Sequence, residues 1–142
     1  MLDDRTAAYI VENQRCFEDL KQVAAQLAGL LVLAAAGSKE AADHPMLGTA
    51  RELFREANDA LRCACPTDRA RKHYVQLVRA ASEIDKALEE TSGGLKIERI
   101  LVPLRAGYAA LECAADALPG FEKVAYARAC CGAARFPGAH AP

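Results

Sequence analysis

The chain has 142 residues, enough for one domain with a core of its own. A hydrophobic content of 52% excludes a disordered chain, and a formal net charge of −1 argues against general nucleic-acid binding, which needs a basic field. Alanine and leucine dominate, aromatic residues make up 6% and Trp is absent, which is the composition of a helical protein.

The first predicted helix runs from about Asp4 to Ala36. Apolar residues recur in it every seven positions, as at Ile10, Phe17 and Leu31, and this broad apolar face suits the core of a helical bundle. The next helix begins near Pro45, because proline is well placed in the first turn of a helix.

A third predicted helix begins around residues 66–68 and ends before Gly93, with apolar residues at heptad spacing. The fourth has the most regular apolar pattern, from Ile97 to Leu118. Pro103 lies inside it and removes one backbone hydrogen bond, so we expect a kink without a break.

The connections between these helices are short, which makes consecutive helices antiparallel neighbours. The predicted fold is therefore all-α: an up-down-up-down four-helix bundle, followed by a short C-terminal helix over residues 121–131. We expect one domain over residues 1–132 and a flexible tail, rich in Pro and Gly, over residues 133–142.

The longest apolar run, Leu27 to Ala36, is about half of the roughly 20 residues that a membrane span needs. The first residues also lack the basic and apolar regions of a secretory signal. We therefore expect a cytoplasmic protein, with reduced cysteines and without membrane or nucleic-acid partners.

The predicted topology gathers cysteines at one end of the bundle. They are Cys63 and Cys65 in the loop after the second helix, Cys113 near the end of the fourth, and Cys130 and Cys131 beyond it. Such thiols suit a soft metal or a redox-labile disulfide. Their spacing fits zinc sites poorly, so the alternative is that they pack as small hydrophobic residues and that the chain has no cofactor.

His73 lies beside Tyr74 on a predicted helix, and we expect it at the bundle edge, packed on an apolar flank. An exposed phosphoacceptor histidine near Lys72 is the alternative, although no flanking motif supports it. The sequence contains no Glu-x-x-His, no phosphate loop and no Gly-x-Ser-x-Gly motif. It offers no catalytic residues, which favours a protein that is not an enzyme.

The second half of the first helix is apolar on the side that is polar in the first half. The residues concerned are Ala25, Gly29, Val32, Leu33 and Ala36. A helix that is apolar all round is normally covered, either by the loop over residues 37–45 or by a second subunit. Small residues permit close approach of helices, so we expect a homodimer.

Three hypotheses for the function follow. The leading one is a non-enzymatic interaction protein that self-associates and binds an unidentified protein partner through a helix face. The second is a bundle that binds a soft metal or performs thiol-redox chemistry with its cysteines. The third is a small-molecule sensor or enzyme with a pocket between helices near Pro103, where Tyr74 and Tyr108 offer hydroxyl groups.

Overall fold

A computed structural model of the chain describes residues 1–122, and this part of the chain is all-α, as predicted. The helices are α1 (Asp4–Ala35), α2 (Pro45–Arg62), α3 (Arg71–Glu90) and α4 (Ile97–Ala117), with short 3₁₀ helices at Ala41–Asp43 and Thr91–Gly93. The predicted C-terminal helix, the domain boundary at residue 132 and the tail over residues 133–142 lie outside the described residues.

The start of α1 is fixed by a side-chain cap. The Asp3 carboxylate accepts hydrogen bonds from the Thr6 backbone amide at 2.8 Å and from the Thr6 hydroxyl at 2.9 Å. The Thr6 hydroxyl also lies 2.8 Å from that of Thr67, in the loop between α2 and α3. The α2–α3 loop therefore meets the beginning of α1, as the up-down topology requires.

The helix contacts are consistent with the predicted up-down-up-down bundle, in which α1 packs mainly on α2 and α3 mainly on α4. The approach of α3 to α4 is close because Gly107 faces Ile84 and the backbone of Ala80. The inner face of α3 carries five residues without solvent exposure: His73, Leu77, Ala80, Ile84 and Ala87. Tyr74, next to His73 in the sequence, is only half-buried.

Helix α4 is continuous from Ile97 to Ala117, so Pro103 does not break it, as predicted. After α4 the chain turns at Gly120, which has a φ of 98°, and runs back along α1. We call residues 118–122 the return segment. Its Leu118 and Phe121 are buried, so it belongs to the core. Within residues 1–122, no helix combines the length and the apolarity that crossing a membrane demands.

Candidate functional site

All five residues proposed as an interface on α1 are exposed in the structure. We call Ala25, Gly29, Val32, Leu33 and Ala36 the α1 stripe. Val32 exposes 68% of its surface and Leu33 exposes 40%, both large fractions for apolar side chains. The loop over residues 37–45 contributes buried Ala41 to the core but leaves the stripe open. Within residues 1–122, nothing covers these side chains.

The stripe lies in a part of the sequence without charge. No Asp, Glu, Lys or Arg occurs between Lys21 and Lys39. Over the same stretch, the opposite side of α1 supplies fully buried core residues such as Val23 and Leu30. Helix α1 is therefore apolar all round at this end, a condition that normally goes with covered surfaces on every side.

Gly29 and Gly107 both lie inside helices but have different surroundings. A Cβ atom on Gly107 would lie 3.0 Å from Ile84 Cγ1, so the close approach of α3 and α4 favours glycine there. A Cβ atom on Gly29 would meet nothing within 4 Å, and the same holds for Gly48 in α2. Glycine within a helix costs about 0.5–1 kcal/mol relative to alanine. The packing of residues 1–122 offers no compensation for that cost at Gly29.

A groove of about 220 Å³ separates the C-terminal half of α1 from the start of α4. Ala28 and Val32 line it from α1, and Leu101, Leu104 and Tyr108 line it from α4. We call it the α1–α4 groove. Because Val32 belongs to both the groove and the α1 stripe, the two form one continuous, mostly apolar surface.

Tyr74 and Tyr108 do not share a pocket. Tyr108 lines the α1–α4 groove, whereas Tyr74 lines a separate groove between α2 and α3 together with Phe54 and Val78. The two helices that carry these tyrosines pack closely on each other, but each ring faces a different neighbour. The structure therefore does not assemble the predicted ligand pocket with two tyrosine hydroxyls near Pro103.

The predicted cysteine cluster is not seen in the described part of the chain. Cys63, Cys65 and Cys113 are exposed, and across residues 1–122 no group of three or more His, Cys, Asp or Glu side chains is arranged to hold a metal ion. Cys130 and Cys131 lie outside the described residues. Cys16 is buried, its thiol donates to the Ala57 carbonyl at 3.4 Å, and burial raises its pKa to about 11. A thiol with so high a pKa is a poor nucleophile and a poor metal ligand.

The expectation that His73 lies at the bundle edge is wrong, because its side chain is fully buried. Its ring stacks on Phe121 at 3.9 Å between centroids, and its Nδ1 atom lies 3.0 Å from the Tyr9 hydroxyl. Burial lowers the pKa of His73 to about 4 and raises that of Tyr9, so both groups are neutral. A phosphoacceptor must reach solvent, so this environment excludes that role.

The buried His73–Tyr9–Phe121 cluster was missed because a lone histidine carries no motif, and its partners lie 64 and 48 positions away in sequence. The one available signal was Phe121 itself, an aromatic residue directly after Pro119 and Gly120. A large apolar side chain after such a turn indicates that the chain folds back onto a core. The cluster acts in packing, and its Tyr9 also lines a groove of about 880 Å³ between the start of α1 and the α2–α3 loop.

The best candidate for a functional site is thus the apolar surface formed by the α1 stripe and the α1–α4 groove. Such a surface is suited to binding a helix or an extended segment. Comparison of the chain with protein-family models, curated proteins and solved structures finds no match.

Proposed function

We propose that the chain is a non-enzymatic interaction protein that self-associates through the α1 stripe. The observation that carries the proposal is the exposure of Val32 and Leu33 at the centre of a helical segment without charge. Exposed apolar patches of this kind mark protein interfaces. A second copy of the chain is the partner we propose, because two-fold dimers are the commonest assembly of soluble proteins.

The chemistry of the stripe suits packing of α1 against α1 of a second copy. Ala25, Gly29 and Ala36 leave room for another helix, and the distance between packed helices decreases with the size of the side chains at the contact. The absence of charge means that two copies of the stripe meet without repulsion. Pairing would also account for glycine at position 29, where the protomer alone gives no reason for it.

The same surface is our candidate for binding an unidentified protein partner, with an apolar helix face lying in the α1–α4 groove. The proposal includes a cytoplasmic location.

Val32→Glu and Leu33→Glu test the proposal. A buried carboxylate at the centre of an interface costs more than about 2 kcal/mol, so dimerisation of each variant should weaken at least about 30-fold. Sedimentation equilibrium measures the dissociation constant. Val75→Glu is the matched control, because Val75 is a valine with 54% exposure on α3, away from the stripe.

The expected result is a dimer for the wild type and for Val75→Glu, and a monomer for the two α1 variants. Equal dissociation constants for all four proteins would show that the interface lies elsewhere. Circular dichroism of each variant checks that the helices remain folded, which separates a lost contact from a lost fold.

A further inference from the structure

A second groove, separate from the α1 stripe, lies between α2 and α3 and has a volume of about 370 Å³. We call it the α2–α3 groove. Both helices supply its apolar residues, which are Phe54, Leu61, Tyr74, Val78 and Ala81. From Tyr74 to Asp85 it follows α3 for about 16 Å, or three helical turns, at 1.5 Å per residue. This length fits a short helix of a partner, which presents apolar side chains three or four positions apart.

Exposed valines on α3 extend the apolar surface of this groove. Val78 exposes 41% of its surface and Val75 exposes 54%. Because the two residues are three positions apart, they lie on one face of the helix. Phe54 and Tyr74 are half-buried beside them. Apolar side chains that lie open at a groove in this way mark a surface for binding another molecule.

Basic side chains flank the groove on both sides. On α2, Arg62 lines the groove, and Arg55 lies two turns earlier on the same helix face. On α3, Arg71 and Arg79 are exposed on the side that carries the two valines. Arg71 pairs with Asp68 at 3.3 Å. The other three arginines form no ion pair within residues 1–122, so their guanidinium groups are open to a partner.

The start of α3 carries the charge that its helix dipole disfavours. Acidic side chains stabilise the first turn of a helix, but α3 has none there and begins with Arg71 and Lys72. No Asp or Glu occurs between Asp68 and Glu83, although the whole chain has a formal net charge of −1. The stability of the helix does not account for this basic stretch, whereas attraction of a negatively charged partner does.

The groove has a basic end and an acidic end. Arg62 is the last residue of α2 and Arg71 is the first of α3, so both lie where the α2–α3 loop joins the two helices. The one carboxylate in the lining, that of Asp85, lies about 16 Å further along α3 than Tyr74. A bound segment is therefore attracted most strongly when its carboxylates lie at the end near the loop.

We propose that the α2–α3 groove binds an acidic amphipathic helix of a protein partner. The apolar face of that helix packs on Phe54, Tyr74 and Val78, and its carboxylates pair with Arg62 and Arg79. A concave apolar surface takes up a helix face, whereas a membrane presents no ridge that would fill it. The site is separate from the α1 stripe and does not rest on the proposed self-association.

Binding of a synthetic peptide to the full-length chain tests the proposal. The probe is a fluorescent amphipathic helix of about 18 residues, with leucine on one face and glutamate on the other. The control peptide has lysine in place of every glutamate. Fluorescence anisotropy measures both dissociation constants. We expect saturable binding of the acidic peptide below about 1 mM, and binding of the lysine peptide that is at least about tenfold weaker.

Charge reversal on the protein locates the binding site. Arg62→Glu combined with Arg79→Glu changes one charge on each side of the groove and should weaken binding of the acidic peptide at least about tenfold. Lys39→Glu combined with Arg105→Glu is the matched control, because both residues are exposed, lie outside the groove and give the same change in net charge. The control variant should bind the peptide as the wild type does.

An apolar variant tests the other half of the recognition. Val78→Ser should weaken binding of the acidic peptide about fivefold, because the serine loses the apolar contact with the leucine face. Val11→Ser is the control, since Val11 is 74% exposed on α1, outside the groove, and this variant should leave binding unchanged. Circular dichroism of every variant checks that the helices remain folded.

Four results would overturn the proposal. The first is an absence of saturable binding up to about 1 mM, and the second is equal binding of the two peptides. The third is an equal loss of affinity in the two charge-reversal variants, which would mean that net charge or the α1–α4 groove, where Arg105 lies, attracts the peptide. The fourth is binding of the chain to phosphatidylserine vesicles without binding of the peptide, which would assign the basic surface to an anionic membrane.

Discussion

Among single residues, His73 makes the free energy of unfolding depend on pH. Because burial lowers its pKa from 6.5 to about 4, the unfolded chain binds a proton between these pH values and the folded protein does not. The stability that neutral His73 contributes to the folded protein is therefore fully present above pH 6.5 and is lost as the pH falls toward 4. Its Nε2 atom has no hydrogen-bond partner among residues 1–122, so no acceptor there stabilises the protonated ring.

We predict that the free energy of unfolding falls by about 1 kcal/mol between about pH 7.5 and pH 5.5 because of His73 alone. Urea denaturation at the two pH values measures this change. His73→Phe keeps a ring against Phe121 and removes the titrating group, so the variant should lose less stability over the same interval. An equal loss in both proteins would assign the pH dependence to other groups.

The glycines give a second prediction at this scale. Gly29→Ala should raise the free energy of unfolding of the monomer by about 0.5–1 kcal/mol, because alanine favours the helix and nothing crowds the new methyl group. The same substitution should weaken the dimer. Gly107→Ala is the counterpart and should lower stability by about 1–3 kcal/mol, since its methyl group would press on Ile84.

Urea denaturation of dilute monomer and sedimentation equilibrium separate the two effects of Gly29→Ala. A variant that is more stable as a monomer and no weaker as a dimer would contradict close helix packing at Gly29. Loss of monomer stability would instead mean that the open space around Gly29 is needed within the protomer.

At the scale of helices, sequence periodicity was sufficient to place all four. The predicted starts at Asp4 and Ile97 agree with the structure, since apolar spacing and capping residues act locally. Helix α3 begins at Arg71, later than predicted, because residues 67–70 form a turn in which the Ala70 amide donates to the Thr67 carbonyl. The Thr67 hydroxyl also lies 2.8 Å from that of Thr6 in α1, and local patterns do not reveal such a contact between distant residues.

The inner face of α3 was harder to predict for a physical reason. Ala80 and Ala87 are fully buried, where their small size permits close approach to α4. Alanine is equally common on exposed helix surfaces, so its presence does not mark a core position. The α1 stripe was predictable because large apolar residues, Val32 and Leu33, stand where charge was expected. The α1–α4 groove was not, since it depends on how two distant helices pack.

The return segment supports a prediction at this scale. Phe121→Ala removes the ring that stacks on His73 and packs on Phe17, and truncation of a buried aromatic side chain costs about 3–5 kcal/mol. We expect a loss of about 3 kcal/mol in urea denaturation. Val102→Ala on α4, with 72% of Val102 exposed, should change stability by less than about 0.5 kcal/mol. Equal stability of the two variants would mean that residues 118–122 are not part of the core.

At the scale of the whole molecule, the bundle buries its polar cluster at one end and leaves an apolar surface at the other. The buried cluster of His73, Tyr9 and Phe121 fills one end of the core and makes the free energy of unfolding depend on pH. The α1 stripe and the α1–α4 groove form the proposed interaction surface, and a second copy of the chain is its proposed occupant. The proposed function lies in a face of α1 that no other part of residues 1–122 covers.

Sedimentation velocity of the full chain is the decisive test of self-association. Over a series from micromolar to millimolar concentration, we expect a shift from a monomer of 15.2 kDa to a species of twice that mass. A monomer throughout the series would contradict self-association through the α1 stripe.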